Sequence, residues 1–286
     1  MLKICLASAL FKPANPSYLG FPGTNPNVKF VDNIDEADFT LYMCQSDGQA
    51  VIDDIQKLCS YPKTAIILTS SDHDYLKYCG ANTLYFSPTR TNSRFCVPYV
   101  YDLKPEWEKA WEGERPITLS FRGSIRTYEP RAQIVDLFNL LKTMGNNNCV
   151  FEDFHIWSND NKNVSFAQRR YADLLKHSKF VLCPRGNGGS SMRLQEAIIA
   201  GAIPILVNDE LTPFGLTLDL PRADFGATLY STVSQYLYLN QEIVASCRNK
   251  LRDYVSKRLA IDINRGCMGT IGYSEHMFDI GREILK

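Results

Sequence analysis

Ser178–Asp209 reads SKFVLCPRGNGGSSMRLQEAIIAGAIPILVND, and no other stretch narrows the possible folds as much. An apolar run at Lys179–Cys183 enters a Pro-Arg-Gly-Asn-Gly-Gly-Ser-Ser loop. An apolar segment carrying Arg193 and Glu196 follows, then Gly201 and a second apolar run. The order is strand, glycine-rich turn, helix, strand: a βαβ unit, whose helix N-terminus is a natural seat for a phosphate. Strands joined in this way lie parallel and are covered by helices on both faces, so the expected class is α/β.

The chemistry of this loop points to an anion. Gly186, Gly188 and Gly189 let the backbone approach a diphosphate closely. With Ser190 as N-cap, the free N–H groups of the first turn and the helix dipole both favour negative charge. Pro184, Ser191 and the two arginines, Arg185 and Arg193, belong to the same end. Glu196 sits among Leu194, Ala197, Ile198 and Ile199, on a helix that is apolar nearly all round. A buried carboxylate is costly without partners. A ribose diol is one suitable partner, since an ionised carboxylate accepts two hydrogen bonds. A structural ion pair with Arg193 or Arg185 is the other.

The rest of the chain repeats the alternation. Leu2–Ala9, Phe39–Met43 and Thr64–Thr69 read as strands, with a Pro/Gly/Asn-rich loop through Asn27 and a helical spacing at Val51, Ile52, Ile55 and Leu58. Charged, breaker-rich Glu112–Pro116 marks a domain boundary, placed at residue 114. Ile117–Phe121 then restarts the pattern as a strand and runs into Arg122-Gly123-Ser124-Ile125-Arg126. A helix follows, with Ile134, Leu137, Phe138 and Leu141 on one face. Arg122, Arg126 and Arg131 form a second basic cluster at a strand-to-helix junction. Arginines and glycines at two strand ends suit bidentate recognition of a multiply charged phosphate, although solvated helix-start arginines are common. Another helix carries Tyr171, Leu174 and Leu175, a long one spans about 241–259, and a last one about 273–285. The expectation is two Rossmann-like α/β domains facing a cleft: 1–114, 115–270, and a terminal helix at 271–286 packing back on the first.

Composition removes several alternatives. The formal net charge is zero, which argues against a general nucleic-acid binder. The nine cysteines include no C-x-x-C pair, and several lie in apolar runs where thiols act as small hydrophobes. No apolar stretch approaches the roughly 20 residues of a membrane span, and Met1–Leu10 reads as a first strand and not as a signal peptide. A soluble, cytoplasmic protein is expected.

The run YADLLKHSKFVLCPRGNGGSSMRLQEAIIAGAIPILVNDELTPF resembles the signature of the exostosin-type glycosyltransferases. Phe121-Arg122-Gly123 resembles that family's F-x-G strand end, Asp72-His73 its D-H pair, and Phe95-Cys96-Val97-Pro98 its D-V-x-I-P segment. Met192, Gln195 and Ala202 depart from the family's pattern, at positions that bear on packing more than chemistry. The resemblance implies a GT-B fold in which the C-terminal half holds a nucleotide sugar, UDP-linked with xylose favoured, and the N-terminal half faces a glycan acceptor. It also implies inverting transfer that requires no metal; the family is usually anchored in membranes, and a soluble, virus-encoded member is the expectation here.

Such a transfer needs a general base for the acceptor hydroxyl. Asp72, at a strand's C-terminal end, is the first candidate and His73 the second; a helix N-cap is the other use for Asp72. The departing diphosphate gains charge, which Arg185, Arg193 and the helix N-terminus would stabilise, with Arg122 or Arg126 beside them. Asp72-His73-Asp74 also spells the D-x-D of metal-dependent glycosyltransferases, but a metal there would duplicate the phosphate cradle. Other readings are a non-catalytic nucleotide-sugar or glycan-binding protein, and a sugar-nucleotide epimerase or phosphatase.

Overall fold

The computed structural model describes residues 2–7, 28–44, 48–61, 64–69, 75–86, 111–155, 164–186, 191–208 and 220–264. They divide into two compact units, one holding the described residues up to 86 together with 260–264, the other those from 111 to 259. Residues 111–116, which include the boundary read from the sequence, fall with the second unit. The reason is Arg115, which is buried at 6% exposure and donates to carbonyls of the second unit.

The first unit is a five-stranded parallel sheet ordered β2-β1-β3-β4-β5, built from β1 (Leu2–Leu6), β2 (Val28–Val31), β3 (Phe39–Cys44), β4 (Thr64–Thr69) and β5 (Thr83–Phe86). Helix α1 (Gln49–Cys59) presents Val51, Ile55 and Leu58 to Tyr42 and Tyr75. This is the helical spacing visible in the sequence. The edge strand β2 was not legible there: four residues long, it follows the loop read as irregular, and it becomes a strand by pairing with Leu2–Cys5.

The second unit repeats the topology. Strands β6 (Ile117–Gly123), β7 (Cys149–Asp153), β8 (Ser178–Pro184), β9 (Ile203–Val207) and β10 (Arg222–Ala223) form a parallel sheet ordered β10-β9-β8-β6-β7. Helices α2 (Gln133–Thr143), α3 (Val164–His177), α4 (Met192–Ile199) and α5 (Leu229–Leu237) complete it, with α6 (Gln241–Asn264) as far as Leu259. Ile134, Leu137, Phe138 and Leu141 of α2 are all buried. Every residue of β9 is buried, as a strand covered on both faces requires. Pro204 is tolerated within it for a local reason. The N–H groups of Leu206 and Asn208 bond toward the β10 side, and Pro204 shares their parity. The two-residue β10 pairs only at Leu206 and Val207, so the missing N–H falls before that pairing begins.

Helix α4 ends on Gly201, whose φ of 74° is left-handed. The bonds Ala202 N–H to Ala197 O and Gly201 N–H to Ile198 O close the turn. A side chain there would also meet Arg115 Nη2 at 2.7 Å and the Trp111 ring at 3.0 Å. Arg115 and Arg248 crowd this end of the helix and take up loose carbonyls. Arg115 donates to Leu175, Ser178 and Ala200, and Arg248 to Gly201 and Trp111.

Both sheets share one order, 2-1-3-4-5 within each unit. In each, the first connection runs one way and later ones the other, leaving a switch point between the first and third strands. In the second unit that point lies between the carboxyl ends of β6 and β8, at Gly123 and Pro184.

Candidate functional site

The carboxyl ends of β6 and β8 gather most of the residues singled out in the second half of the chain. Arg193 lies on the first turn of α4. Its Nη2 donates to the Arg122 carbonyl at 2.7 Å, and its guanidinium stacks on the Phe121 ring at 4.7 Å. Gly123 is required here, because a Cβ at that position would run into Arg193 Nη2. Arg193 Nε and Nη1 are buried without a hydrogen-bond partner. Buried donors are normally satisfied, so a guanidinium held by one N–H and stacked on a ring, with two nitrogens unengaged, is poised for an anion.

The other arginines have different occupations. Arg131, at 6% exposure, donates from Nε to the Arg185 carbonyl (2.7 Å), from Nη1 to the Ser124 carbonyl (2.9 Å) and Thr127 Oγ1 (2.8 Å), and from Nη2 to the Pro184 carbonyl (2.8 Å). Its geometry is that of a clamp joining the loop after β6 to the loop after β8. Arg122 pairs with Glu152 Oε2 at 2.9 Å and lies over the Phe154 ring at 4.2 Å. Burial lowers the pKa of its guanidinium, and Glu152 opposes that shift. Glu152 also takes Arg170, through Nη2 at 2.6 Å. Arg185 lies over the Tyr128 ring at 4.9 Å and is half-buried. Arg126 is exposed; its backbone N–H is held by Ser124 Oγ at 3.1 Å. Pro184 is buried and Gly186 half-buried.

Helix α4 begins one residue later than read from the sequence. Its N-cap is Ser191 and not Ser190, and the Ser191 side chain makes no capping bond. Buried Leu194 and Ala197 follow closely in the helix, and this packing seats it whether or not the cap is made. Glu196 is buried at 9% exposure. Its Oε2 accepts a hydrogen bond from the Tyr171 hydroxyl on α3 at 2.5 Å. Burial, and then the Glu196 charge, push the Tyr171 phenol well above the usual tyrosine range, so it stays an O–H donor.

Asp72, His73, Gly189 and Ser190 lie outside the described residues, as does Asp74 of the D-x-D triplet. Among the described residues, no group of three or more His, Cys, Asp or Glu is placed to hold a metal ion.

Glu152 and Tyr171 were missed as partners in this arrangement. Cys149–Asp153 is an edge strand in which Glu152 is the register partner of Arg122. Reading CVFED as a strand parallel to ITLSFRG would have brought the two charges together. For Tyr171 the only signal was its place at the head of the quoted run.

The Exostosin GT47 domain matches residues 67–223, more than half of the chain. The chain belongs to that family. It is 34% identical over 117 residues to mouse (Mus musculus) ribitol-5-phosphate xylosyltransferase 1, covering 40% of this chain and 25% of that protein. It is 40% identical over 43 residues to an Arabidopsis thaliana protein named as a probable glycosyltransferase, covering 15% of this chain and 8% of that protein. The aligned segments thus take in a quarter or less of each relative. Among solved structures, TarM aligns with a TM-score of 0.41 at 9% identity, over 82% of this chain and 51% of that one. No described helix is long and apolar enough to cross a membrane.

Proposed function

We propose that the protein is a glycosyltransferase that moves a sugar from a nucleoside diphosphate sugar, UDP-linked, to a hydroxyl of a glycan acceptor, inverting the anomeric centre without a required metal. Arg193 carries this reading: a half-buried arginine at the switch point of the second sheet whose buried Nε and Nη1 are unengaged. A departing diphosphate gains negative charge as the glycosidic bond breaks, and fixed N–H donors in a water-poor site stabilise that charge. Arg185 and the first turn of α4 flank the same position, while Arg131 and Arg122 hold the loops. Glu196 receives the ribose hydroxyls. Xylose is the favoured sugar, supported by the named activity of the mouse relative. Asp72 is proposed as the base that takes the acceptor proton, with His73 second.

The first unit offers a place for a hydroxyl-rich acceptor. Its β2–β3 connection includes a single 3-10 turn, Ile34–Glu36, beside a crevice of about 420 Å³. Asp32, Asn33, Asp54, Lys57 and Tyr61 line it, with Tyr42 donating to Asp54 at 3.0 Å. This is a dense set of donors and acceptors for sugar hydroxyls.

Thermal melting against a panel of nucleotide sugars, with and without EDTA, tests the donor reading. A UDP-sugar is expected to raise the melting temperature equally in both conditions. No shift with any nucleotide overturns the donor site, and a shift abolished by EDTA overturns its metal independence. In transfer assays, Asp72→Asn is expected to bind donor normally and lose turnover; full activity excludes Asp72 as the base.

A further inference from the structure

The amino ends of the second sheet hold a separate concentration of positive charge. Arg115 lies just ahead of β6, Lys179 is the second residue of β8, and the register pair Ile117–Ser178 puts the two strand starts level. Gln241, Val244, Ala245 and Arg248 recur along one face of the first turns of α6. These residues line a cavity of about 200 Å³. Arg115, Lys179 and Arg248 are cations, and no Asp or Glu stands among the described residues that line it. At about 30 Å³ for a water in the liquid, the space takes a small oxyanion with part of its hydration.

The cations use their donors differently. Arg115 is committed to carbonyls, with Nη1 donating to Leu175 and Ser178 and Nη2 to Ala200. It lends the cavity charge more than hydrogen bonds. Arg248 donates from Nε to the Gly201 carbonyl at 3.2 Å and from Nη2 to the Trp111 carbonyl at 3.0 Å. Those bonds fix its plane and leave Nη1. The half-buried Lys179 ammonium carries three donors, and among the described residues none of them has a hydrogen bond or an ion pair. Burial lowers the pKa of both arginines, and the Arg248 charge lowers that of Arg115 further, to about 9. Among the described residues no carboxylate opposes either shift, in contrast to Arg122, where Glu152 does. Partly desolvated like charges gain more from a counter-ion than exposed ones do.

We propose that this cavity is a second anion site, which takes a compact tetrahedral phosphate, free or at the end of a small phosphomonoester, between Lys179, Arg248 and the Gln241 amide. Such a group offers acceptor oxygens on several sides, as donors arriving from both β8 and α6 require. Bound there, it joins the start of α6 to the start of β8 and offsets the repulsion between Arg115 and Arg248. The residues proposed for the sugar donor lie at the carboxyl ends of the same strands. Strand β6 is seven residues long, so at about 3.3 Å per residue the two sites are about 20 Å apart and fill independently.

The test is calorimetric titration of the full chain with inorganic phosphate, against chloride at matched ionic strength. Wild type is expected to bind phosphate and to melt at a higher temperature in it. Phosphate also stabilises proteins that have no site for it, by exclusion from their surface, so the variants decide. Lys179→Gln removes one charge from the wall and should bind phosphate about tenfold more weakly, the equivalent of one charge-assisted contact. Gln241→Glu keeps every cation, suits the first turn of a helix and places a carboxylate at the cavity, so it should lose at least as much. Arg193→Gln, at the opposite strand ends, should bind within about twofold of wild type. Glycerol 3-phosphate run beside phosphate separates the two sources: the probe that binds wild type more tightly and is lost in Lys179→Gln is the form the site takes. No effect on wild type beyond that of chloride, or undiminished binding in Lys179→Gln or in Gln241→Glu, overturns the second site. Loss confined to Arg193→Gln also overturns it and assigns the phosphate to the donor loop, whose own reading is tested separately with UDP-sugars.

Discussion

Arg193 and Gly123 form a pair in which the glycine has no substitute. The guanidinium occupies the space a Cβ would need, and the obstructing atom is the far end of a flexible side chain. Gly123→Ala should therefore leave the melting temperature nearly unchanged but displace Arg193 from the Arg122 carbonyl. A loss of nucleotide affinity of about tenfold is expected by titration, in line with one charge-assisted contact; unchanged affinity would mean that Arg193 does not bind the donor. Tyr171 makes a separate prediction about pH. Its folded-state pKa is raised above the unfolded value, so the folded chain holds this proton more tightly. The stabilisation is fully present below about pH 10 and is lost as pH rises through the folded value. Melting curves from about pH 8 to about pH 11 should fall more steeply for wild type than for Tyr171→Phe. Parallel curves would show that the phenol is not perturbed.

At the scale of elements, two buried arginines join pieces of chain that share no regular hydrogen bonding. Arg131 ties the loop after β6 to the loop after β8 through four hydrogen bonds. Lysine cannot reproduce that planar fork. Arg131→Lys should lower stability in urea by about 3 kcal/mol, and nucleotide affinity should drop with it, because both loops border the site. Arg115 does comparable work at the opposite end of the second sheet, on the last carbonyls of α3 and α4. Burial, and then Arg248, push its pKa down to about 9. Arg115→Met removes a poorly solvated charge but leaves three carbonyls without that donor. The second effect is the larger, and a net loss of about 3 kcal/mol is expected by chemical denaturation, with nucleotide affinity unchanged. A stability equal to wild type would mean that desolvation of the guanidinium cancels its hydrogen bonds.

The described strands repeat one parallel topology in both units, and the residues proposed to hold the donor that are described all lie in the second unit. Bound UDP should therefore slow hydrogen exchange most at the β6 and β8 ends and the start of α4. Ile55→Ala in the core of the first unit should cost about 3 kcal/mol of stability and leave UDP affinity unchanged. A matching fall in affinity would place part of the donor site in the first unit. Much of this architecture is local in origin and legible without coordinates. Continuous apolar runs mark β8 and β9, and the spacing of Ile134, Leu137, Phe138 and Leu141 marks α2. Such signals arise because burial on two faces and helical period both act over a few residues. The short edge strands β2, β7 and β10 were not legible, since their conformation comes from the neighbour they pair with. Nor could the sequence sort its arginines. Arg122, Arg131, Arg185 and Arg193 look alike as residues beside strand ends. Partners as much as 71 residues away occupy Arg131 with carbonyls and Arg122 with Glu152, and hold Arg193 by Nη2 alone. Local order determined the βαβ units. Only the tertiary structure decided how each cation's donors are used, because that depends on long-range hydrogen bonds that close when the sheet assembles.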